Sequence, residues 1–470
     1  MFADVRKEWE MRISTALSRA GVSSVLEPGD HGYADAVAGF DLAVPFAPDV
    51  VIDARSPADV SSGIAVVAER GETLTVLGSG HGRLHGVRGG VAITLRHLDF
   101  VDVDVAGRSA RVGAGSTWDP VLTATASHGL AAVCGSAPGV GVVGYLLGGG
   151  IGPLASSLGF SSDHVRSFDI VTPADGFITV SGHDHPDLFW ALRGGKGGFG
   201  VVMSLTIDLL ELTHVHGGGV YFAAQDAAEV LGAYADWAPS LPGSSTASIA
   251  LLRLPSRDAL PEAIRGRHVV HVRFASLGPG AAARAQLDHI RGVARPLLDT
   301  VGDLPYAQLG AIHGDPRDPM PVVNGTASLA TLNADTVDAV LGAADLEADR
   351  PLSSVEIRTM GPATRPGRAV ADAVGGRSTA HLFNVYGAPV PTLTDADRIA
   401  AVRGVLGAVR PWRAPVHLVN FIGRANEADA VVHAWTAQQN DRLDSIRARH
   451  DPDGLFPYAR HGVSTPGSTT

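Results

Sequence analysis

"CGSAPGVGVVGYLLGGGIGPLASSLGFSSDHV", residues 134–165, decides how the first half of this chain is read. Gly139, Gly141 and Gly144 spell G-x-G-x-x-G. Asp163 lies about twenty residues on, where a dinucleotide-binding Rossmann unit places its ribose carboxylate. The context opposes that reading. The fingerprint needs a helix straight after the turn, whereas "YLLGGGIGP" brings three successive glycines and a proline, each costly in a helix interior. Asp163 also follows "GFSS" instead of a hydrophobic strand. A Walker phosphate loop fails as well, because Lys196 in "RGGKGGFG" has no Ser or Thr after it to hold magnesium.

What remains is three glycine-dense loops, at 78–82, 139–152 and 194–200. The chain holds 57 glycines in 470 residues, where ordinary usage would give roughly 33. One such loop is ordinarily a tight turn. Three in one region point to a large phosphate-bearing cofactor, since bare backbone N–H groups bind a pyrophosphate without lysines or a helix dipole. The first loop, "VLGSGHGRLHG" at 76–86, also carries His81 and His85, so an imidazole sits where backbone is built to approach a ligand closely.

Composition narrows the class. A hydrophobic content of 45% and a charged content of 18% describe an ordinary globular protein of two or three domains. The net charge of −11 argues against a nucleic-acid partner. No apolar run suits a membrane span, and the amphipathic opening does not read as a signal peptide, so a cytoplasmic location is expected. Cys134 is the single cysteine, which excludes an internal disulfide and a cysteine-based zinc cluster. The histidines of "PVHLVNF" and "AIHGDP" lack metal-ligand spacing and read as structural; no metal site is expected.

Short strands and helices alternate over the first two hundred residues: strands "DVVIDA", "TLTVL", "VAITL", "FVDVDV" and "SARVGAG", and helices "SPADVSSGIAVVAERG" and "TWDPVLTATASHG". Ser56 is the expected N-cap of the first helix, with Pro57 in its first turn and Gly71 beyond its end. From about residue 206, longer strands ("GGVYFAA", "ASIALLRL", "HVVHVRFAS", "SSVEIRTM", "AHLFNVYG") alternate with helices, as in a sheet with one face packed on helices. The expected fold is α+β: an α/β domain over 1–205, a sheet-plus-helices substrate domain over 206–410, and a segment at 411–458 returning to the first. One helix is expected in "EADAVVHAWTAQQNDRLDSIRARH", and a disordered tail over 459–470.

These segments resemble a known family. "GSGHG", "SAPGVGVVGYLLGGGIG", "LGF", "DHV", "DLFWALRGGKGGFGVV" and "NDRLDSIRARHDPDGLF" fall in the order found in FAD-linked oxidases of the vanillyl-alcohol-oxidase type, in the berberine bridge enzyme-like branch. The match is close over 45–210 and 410–458 and only in outline between. It implies FAD as cofactor, with His81 attached covalently to the flavin 8α-methyl. Chemistry agrees, since imidazole is a competent nucleophile. It also implies a cofactor site built from His81, Gly78, Ser79, Gly80 and Gly82, and from Pro138, Gly139, Val140, Gly141, Gly144, Gly149, Gly150, Gly152 and Asp163. Val202 and Asn420 complete it. His85 lacks the match and reads as a loop residue.

The departures matter. Doubly linked members carry a cysteine where this chain has Ala137, and Cys134 reads as a small buried hydrophobe, so a single link is expected. The tyrosine that often precedes "V-N-F" is Leu418 here, and Gly198 replaces an asparagine of the lysine-containing loop. The acid–base group is therefore open. Alternation in "SSVEIRTM" puts Glu356 and Arg358 opposite Val355 and Ile357, so Glu356 is either a base facing substrate or the partner of Arg358. Tyr145, after the glycine turn, and Tyr386, at a strand end, are further catalytic candidates.

The leading functional expectation is an oxidase passing hydride from a small organic or natural-product substrate to FAD, with O2 reoxidising it to H2O2. Flavin-dependent oxygenation of a polyketide-like metabolite is the alternative. A non-catalytic ligand-binding relative is a different class, favoured by the missing tyrosine. An NAD(P)H-linked reductase would need a second nucleotide site, and the sequence offers none.

Overall fold

Val50–Asp53, Val91–Thr94 and Leu74–Leu77 pair in parallel, with Val25–Leu26 antiparallel at the edge. Every residue of the two inner strands is buried, as a parallel sheet covered on both faces requires. The helix Pro57–Glu69 crosses between its strands. Ser56 Oγ accepts the Asp59 N–H at 3.2 Å, and the chain leaves the helix through Gly71 at φ +64°. The computed structural model describes residues 12–367, 371–390 and 392–457. The expected tail at 459–470 lies outside the described residues, as does most of the amphipathic opening.

A second sheet orders Gly176–Ser181, Val165–Thr172, Val201–Glu211, Ser109–Gly113 and Val101–Asp104, all antiparallel, with Leu130–Ala132 pairing the far end of Val201–Glu211. One continuous apolar core joins it to the first sheet. The next strand, His214–Ala223, opens a third, wholly antiparallel sheet with His268–Ser276, Ser245–Arg253, Leu352–Thr359, His381–Gly387 and Asn324–Leu329.

Four helices, Ala227–Trp237, Gly280–Arg291, Ala334–Ala344 and Asp395–Ala408, cover one face of that sheet. Successive strand residues point to opposite faces. Val270, Val272, Phe274, Val355, Ile357, Phe383 and Val385 therefore pack into the helix-side core. His271, Arg273, Glu356, Arg358, Asn384 and Tyr386 occupy the alternate positions. An α+β architecture results, with one polar sheet face turned towards the glycine loops.

Two local expectations need correction. A helix does follow the Gly139–Gly144 turn, Val142–Leu147, but it stops at Gly148 after six residues. The helix expected over 427–450 is broken. A single 3-10 turn at Val432–Ala434 precedes a helix at Ala437–His450. Thr436 Oγ1 accepts the Gln439 N–H at 3.2 Å and Gln439 Oε1 accepts the Thr436 N–H at 3.1 Å, a reciprocal cap that starts a new helix there. Beyond it, the Leu74 N–H donates to the Leu455 carbonyl at 2.8 Å, bringing the C-terminal segment back to the first sheet. Among the described residues no helix is long and apolar enough to cross a membrane.

Candidate active site

His81 stands at the tip of the loop that follows strand Leu74–Leu77. Gly80 has φ +74°, and a Cβ there would lie 2.6 Å from the Gly39 Cα, so the loop crosses residues 39–41 where only glycine fits. The crossing is pinned by Phe40 N–H to the Ser79 carbonyl at 3.0 Å. The imidazole stacks on Phe40 with centroids 4.0 Å apart. Ser79 Oγ accepts the Gly141 N–H at 3.0 Å and lies 3.0 Å from His81 Nδ1, joining the first glycine loop to the second. Burial pushes the imidazole pKa down to about 4, leaving a neutral ring with a lone pair at neutral pH.

These loops form a wall of one cleft of about 2290 Å³, well beyond the ~300–1,000 Å³ of a pocket for a drug-sized ligand. Gly78, Ser79, Gly80, His81 and Gly82 line it, with Val140, Gly141, Gly144, Tyr145, Lys196, Val202 and Asn420. The three loops that sequence reading paired only by composition thus meet around one space. A Cβ on Gly78, Gly82 or Gly144 would meet no protein atom within 4 Å. Backbone there is free to be approached by a flat ligand, which suits a flavin dinucleotide.

Pro138, Gly139, Gly149, Gly150, Gly152 and Asp163, expected in the cofactor site, are not among the residues lining the cleft. Gly149, Gly150 and Gly152 serve packing. A Cβ on Gly150 would lie 2.3 Å from the Tyr145 ring, and one on Gly152 would lie 2.0 Å from the Cys134 carbonyl oxygen. Pro138 packs against Gly310. Asp163 accepts the Phe160 N–H at 3.0 Å and pairs with Arg377, which also grips Asp372. Its carboxylate braces the turn after the glycine stretch.

Lys196, dismissed in the sequence as a failed phosphate loop, lines the cleft. Its Nζ donates to the Gly144 carbonyl at 3.0 Å and to Asn420 Oδ1, and Asn420 Nδ2 donates to the Tyr145 carbonyl at 2.8 Å. Burial lowers its pKa to about 8. The signal was its rarity, because Lys7 is the only other lysine in the chain.

The third sheet closes the cleft with a charged cluster. Glu356 pairs through Oε1 with Arg273 and through Oε2, at 3.0 Å, with Arg358 Nε; Asn384 Nδ2 donates to the same Oε2 at 3.3 Å. Burial would raise the Glu356 pKa, but the two guanidinium groups outweigh it and hold the carboxyl below its usual range. The face assignment from alternation is seen directly: Glu356 lines the cleft and is paired with Arg358, though it is buried and not solvated as a simple surface pair would be. Arg273 went unremarked in the sequence reading, and His313, the histidine of "AIHGDP", was read there as structural. A charged residue inside the otherwise apolar "HVVHVRFAS" was a usable signal; nothing local marked His313.

Tyr145 and Tyr386 also line the cleft, and burial is the main force raising both phenol pKa values, so both are neutral O–H groups. Tyr145 packs edge-on to Trp118, and its oxygen accepts from Ser161 Oγ at 3.4 Å. Leu418 points away, buried with Ile151, Phe160, Met360, Val374 and Leu382. Cys134 is buried outside the cleft lining, its thiol pushed up to about 12 by burial.

Comparison with known proteins matches this construction. Residues 48–181 match the family model described as FAD binding domain. (R)-6-hydroxynicotine oxidase of Paenarthrobacter nicotinovorans is 29% identical over 97% of this chain and 99% of its own. The crystal structure of 6-hydroxy-D-nicotine oxidase from Arthrobacter nicotinovorans superposes with a TM-score of 0.81 at 23% identity, covering 92% of this chain and 96% of that one. Glucooligosaccharide oxidase from Acremonium strictum, described as carrying a 6-S-cysteinyl, 8α-N1-histidyl FAD, has a TM-score of 0.80 at 19% identity, covering 95% and 98%. The fold and the site define an FAD-dependent oxidoreductase. The chain carries an FAD binding domain at 48–181, is similar over nearly its whole length to a nicotine oxidase, and shares its fold with berberine bridge enzyme-like and carbohydrate oxidases.

Proposed function

We propose that the protein is an oxidase that removes hydride from a small organic substrate, using FAD tethered through His81 and O2 as terminal acceptor, with H2O2 as product. The observation that carries the reading is the position of His81. A neutral, buried imidazole is presented by a glycine loop at the wall of a dinucleotide-sized cleft whose opposite side is a polar sheet face. FAD, when bound, supplies the two-electron chemistry; the chain's residues bind, orient and exclude water.

In this reading the glycine loops hold the cofactor through backbone N–H groups. Lys196, Val202 and Asn420 border the same space, and Lys196 brings a positive charge to it. The link is single, with Ala137 facing the cleft where a doubly linked relative offers a thiol. Glu356 was the first choice of base. A carboxylate held ionised by two guanidinium groups is a weak base, and we propose that it orients Arg358 instead. Tyr145 and Tyr386 act as hydrogen-bond donors to substrate.

The test is direct. Flavin should remain with the chain after acid precipitation of wild-type protein and be absent from the precipitate of His81→Ala. A panel of alcohols, amines, phenols and acids should contain a compound that bleaches the flavin bands anaerobically and releases peroxide in air. Complete release of flavin from the denatured wild type would end the tether. Bleaching by substrate without peroxide in air would end the oxidase assignment.

A further inference from the structure

The cluster above the cleft has more hydrogen-bond donors than the protein uses. Arg358 forms an ion pair with Glu356, its Nε 3.0 Å from the carboxylate but sealed and without hydrogen-bond geometry to it. Its two Nη groups have no hydrogen-bond partner among the described residues, yet they are not among the sealed unpartnered atoms, and the residue lines the cleft. The guanidinium is fixed in place, with Glu356 on one edge and the Phe421 ring 5.5 Å from its centre. Only 11% of the side chain is exposed. A guanidinium cannot shed its charge, and burial without an acceptor is costly.

Glu356 is engaged by Arg273, Arg358 and Asn384. Asp315, the other carboxylate near Arg358, accepts the Ser136 hydroxyl at 2.6 Å. His313 lies 3.8 Å from Glu356 with both ring nitrogens unpartnered, so it makes no hydrogen bond to Arg358. Tyr386, on the adjacent strand, brings another O–H donor to the cleft. What the sheet face leaves open is a fork of N–H groups beside a phenol, with no hydrogen bond from either Nη to a described residue.

We propose that Arg358 is a substrate-binding residue that receives a carboxylate, so that this oxidase acts on an organic acid. Two parallel N–H groups match the two oxygens of a carboxylate. A neutral polyol would need acceptors as well as donors from this face, and an ammonium offers the fork no acceptor. The inference rests on the oxidase reading for its chemistry, but not for its binding test.

Isothermal titration of the purified FAD-containing protein with benzoate, benzamide and benzylamine tests it, since the three share a ring and differ in charge. Benzoate should bind at least about tenfold more tightly than benzamide, and benzylamine should bind most weakly. Arg358→Gln should abolish the benzoate preference while leaving benzamide affinity and flavin content unchanged. Arg358→Lys, which keeps the charge but loses the fork, should recover only part of it. Equal affinities of wild type for benzoate and benzamide, or no benzoate binding, overturn the proposal without recourse to any variant. So does an undiminished preference in Arg358→Gln. Protein lacking covalent flavin or peroxide release would refute the tethered-oxidase reading while calorimetry still decided this one.

Discussion

At the scale of single residues, burial sets the chemistry. Cys134 is sealed outside the cleft with its thiol pushed up to about 12, so it is neither nucleophilic nor placed to attach a ring. Cys134→Ala should therefore retain wild-type covalent flavin content, measured by absorbance of the acid-precipitated, redissolved protein. Loss of flavin there would show that this thiol takes the part of the absent cysteine. Glu356 is different, because it neutralises two buried arginines. Glu356→Gln removes one partner of a buried ion-pair network, and such changes cost about 3–5 kcal/mol. The denaturant midpoint should fall accordingly. A variant as stable as wild type would show that the arginines do not depend on this carboxylate.

Elements bring those residues together, and caps set where the elements begin. The helix Ala437–His450 holds the third glycine loop through Arg447, whose Nη2 donates to the Gly195 carbonyl at 2.9 Å and Nε to the Gly197 carbonyl at 3.1 Å. That helix starts at Thr436 because of a reciprocal cap with Gln439. Thr436→Ala should cost about 1 kcal/mol, read from chemical denaturation, with the lysine-bearing loop loosened before the remainder unfolds. An unchanged midpoint would mean that the tertiary contacts of the helix fix its start without the cap. The strands show a second rule at this scale. Alternation on Leu352–Thr359 separates Val355 and Ile357 from Glu356 and Arg358, so a single strand builds core and site together.

For the whole molecule, several imidazoles are buried neutral. Burial lowers His81, His381 and His417 to about 4, and His271 and His313 lie well below the ordinary value, with Arg273 adding to the effect of burial in both. The unfolded chain binds protons at these histidines as pH falls through about 6.5, whereas the native chain does so only at lower pH, near 4 for His81, His381 and His417. Stability from this source is therefore full above about pH 6.5 and declines as pH falls towards 4. Paired carboxylates such as Asp53 and Asp169, held low by arginine partners despite burial, add their own loss at still lower pH. Tm measured by calorimetry should drop steadily between pH 6.5 and 4. A flat or rising profile over that window would contradict the buried-neutral assignment.

Local pattern determined much of this protein. Hydrophobic periodicity and caps marked the strands around "TLTVL" and the helix after Ser56, because period and turn chemistry act over a few residues. The order of the glycine segments marked loops that line the cleft, His81 among them, because close backbone approach demands glycine at fixed positions. Tertiary structure alone decided which glycines face the cleft and which receive the Tyr145 ring, since both uses leave the same letter in the sequence. It alone placed Arg273 and His313 beside Glu356. Those residues come from different strands and a distant turn, and only the antiparallel register of the third sheet and the packing of that turn bring them into contact.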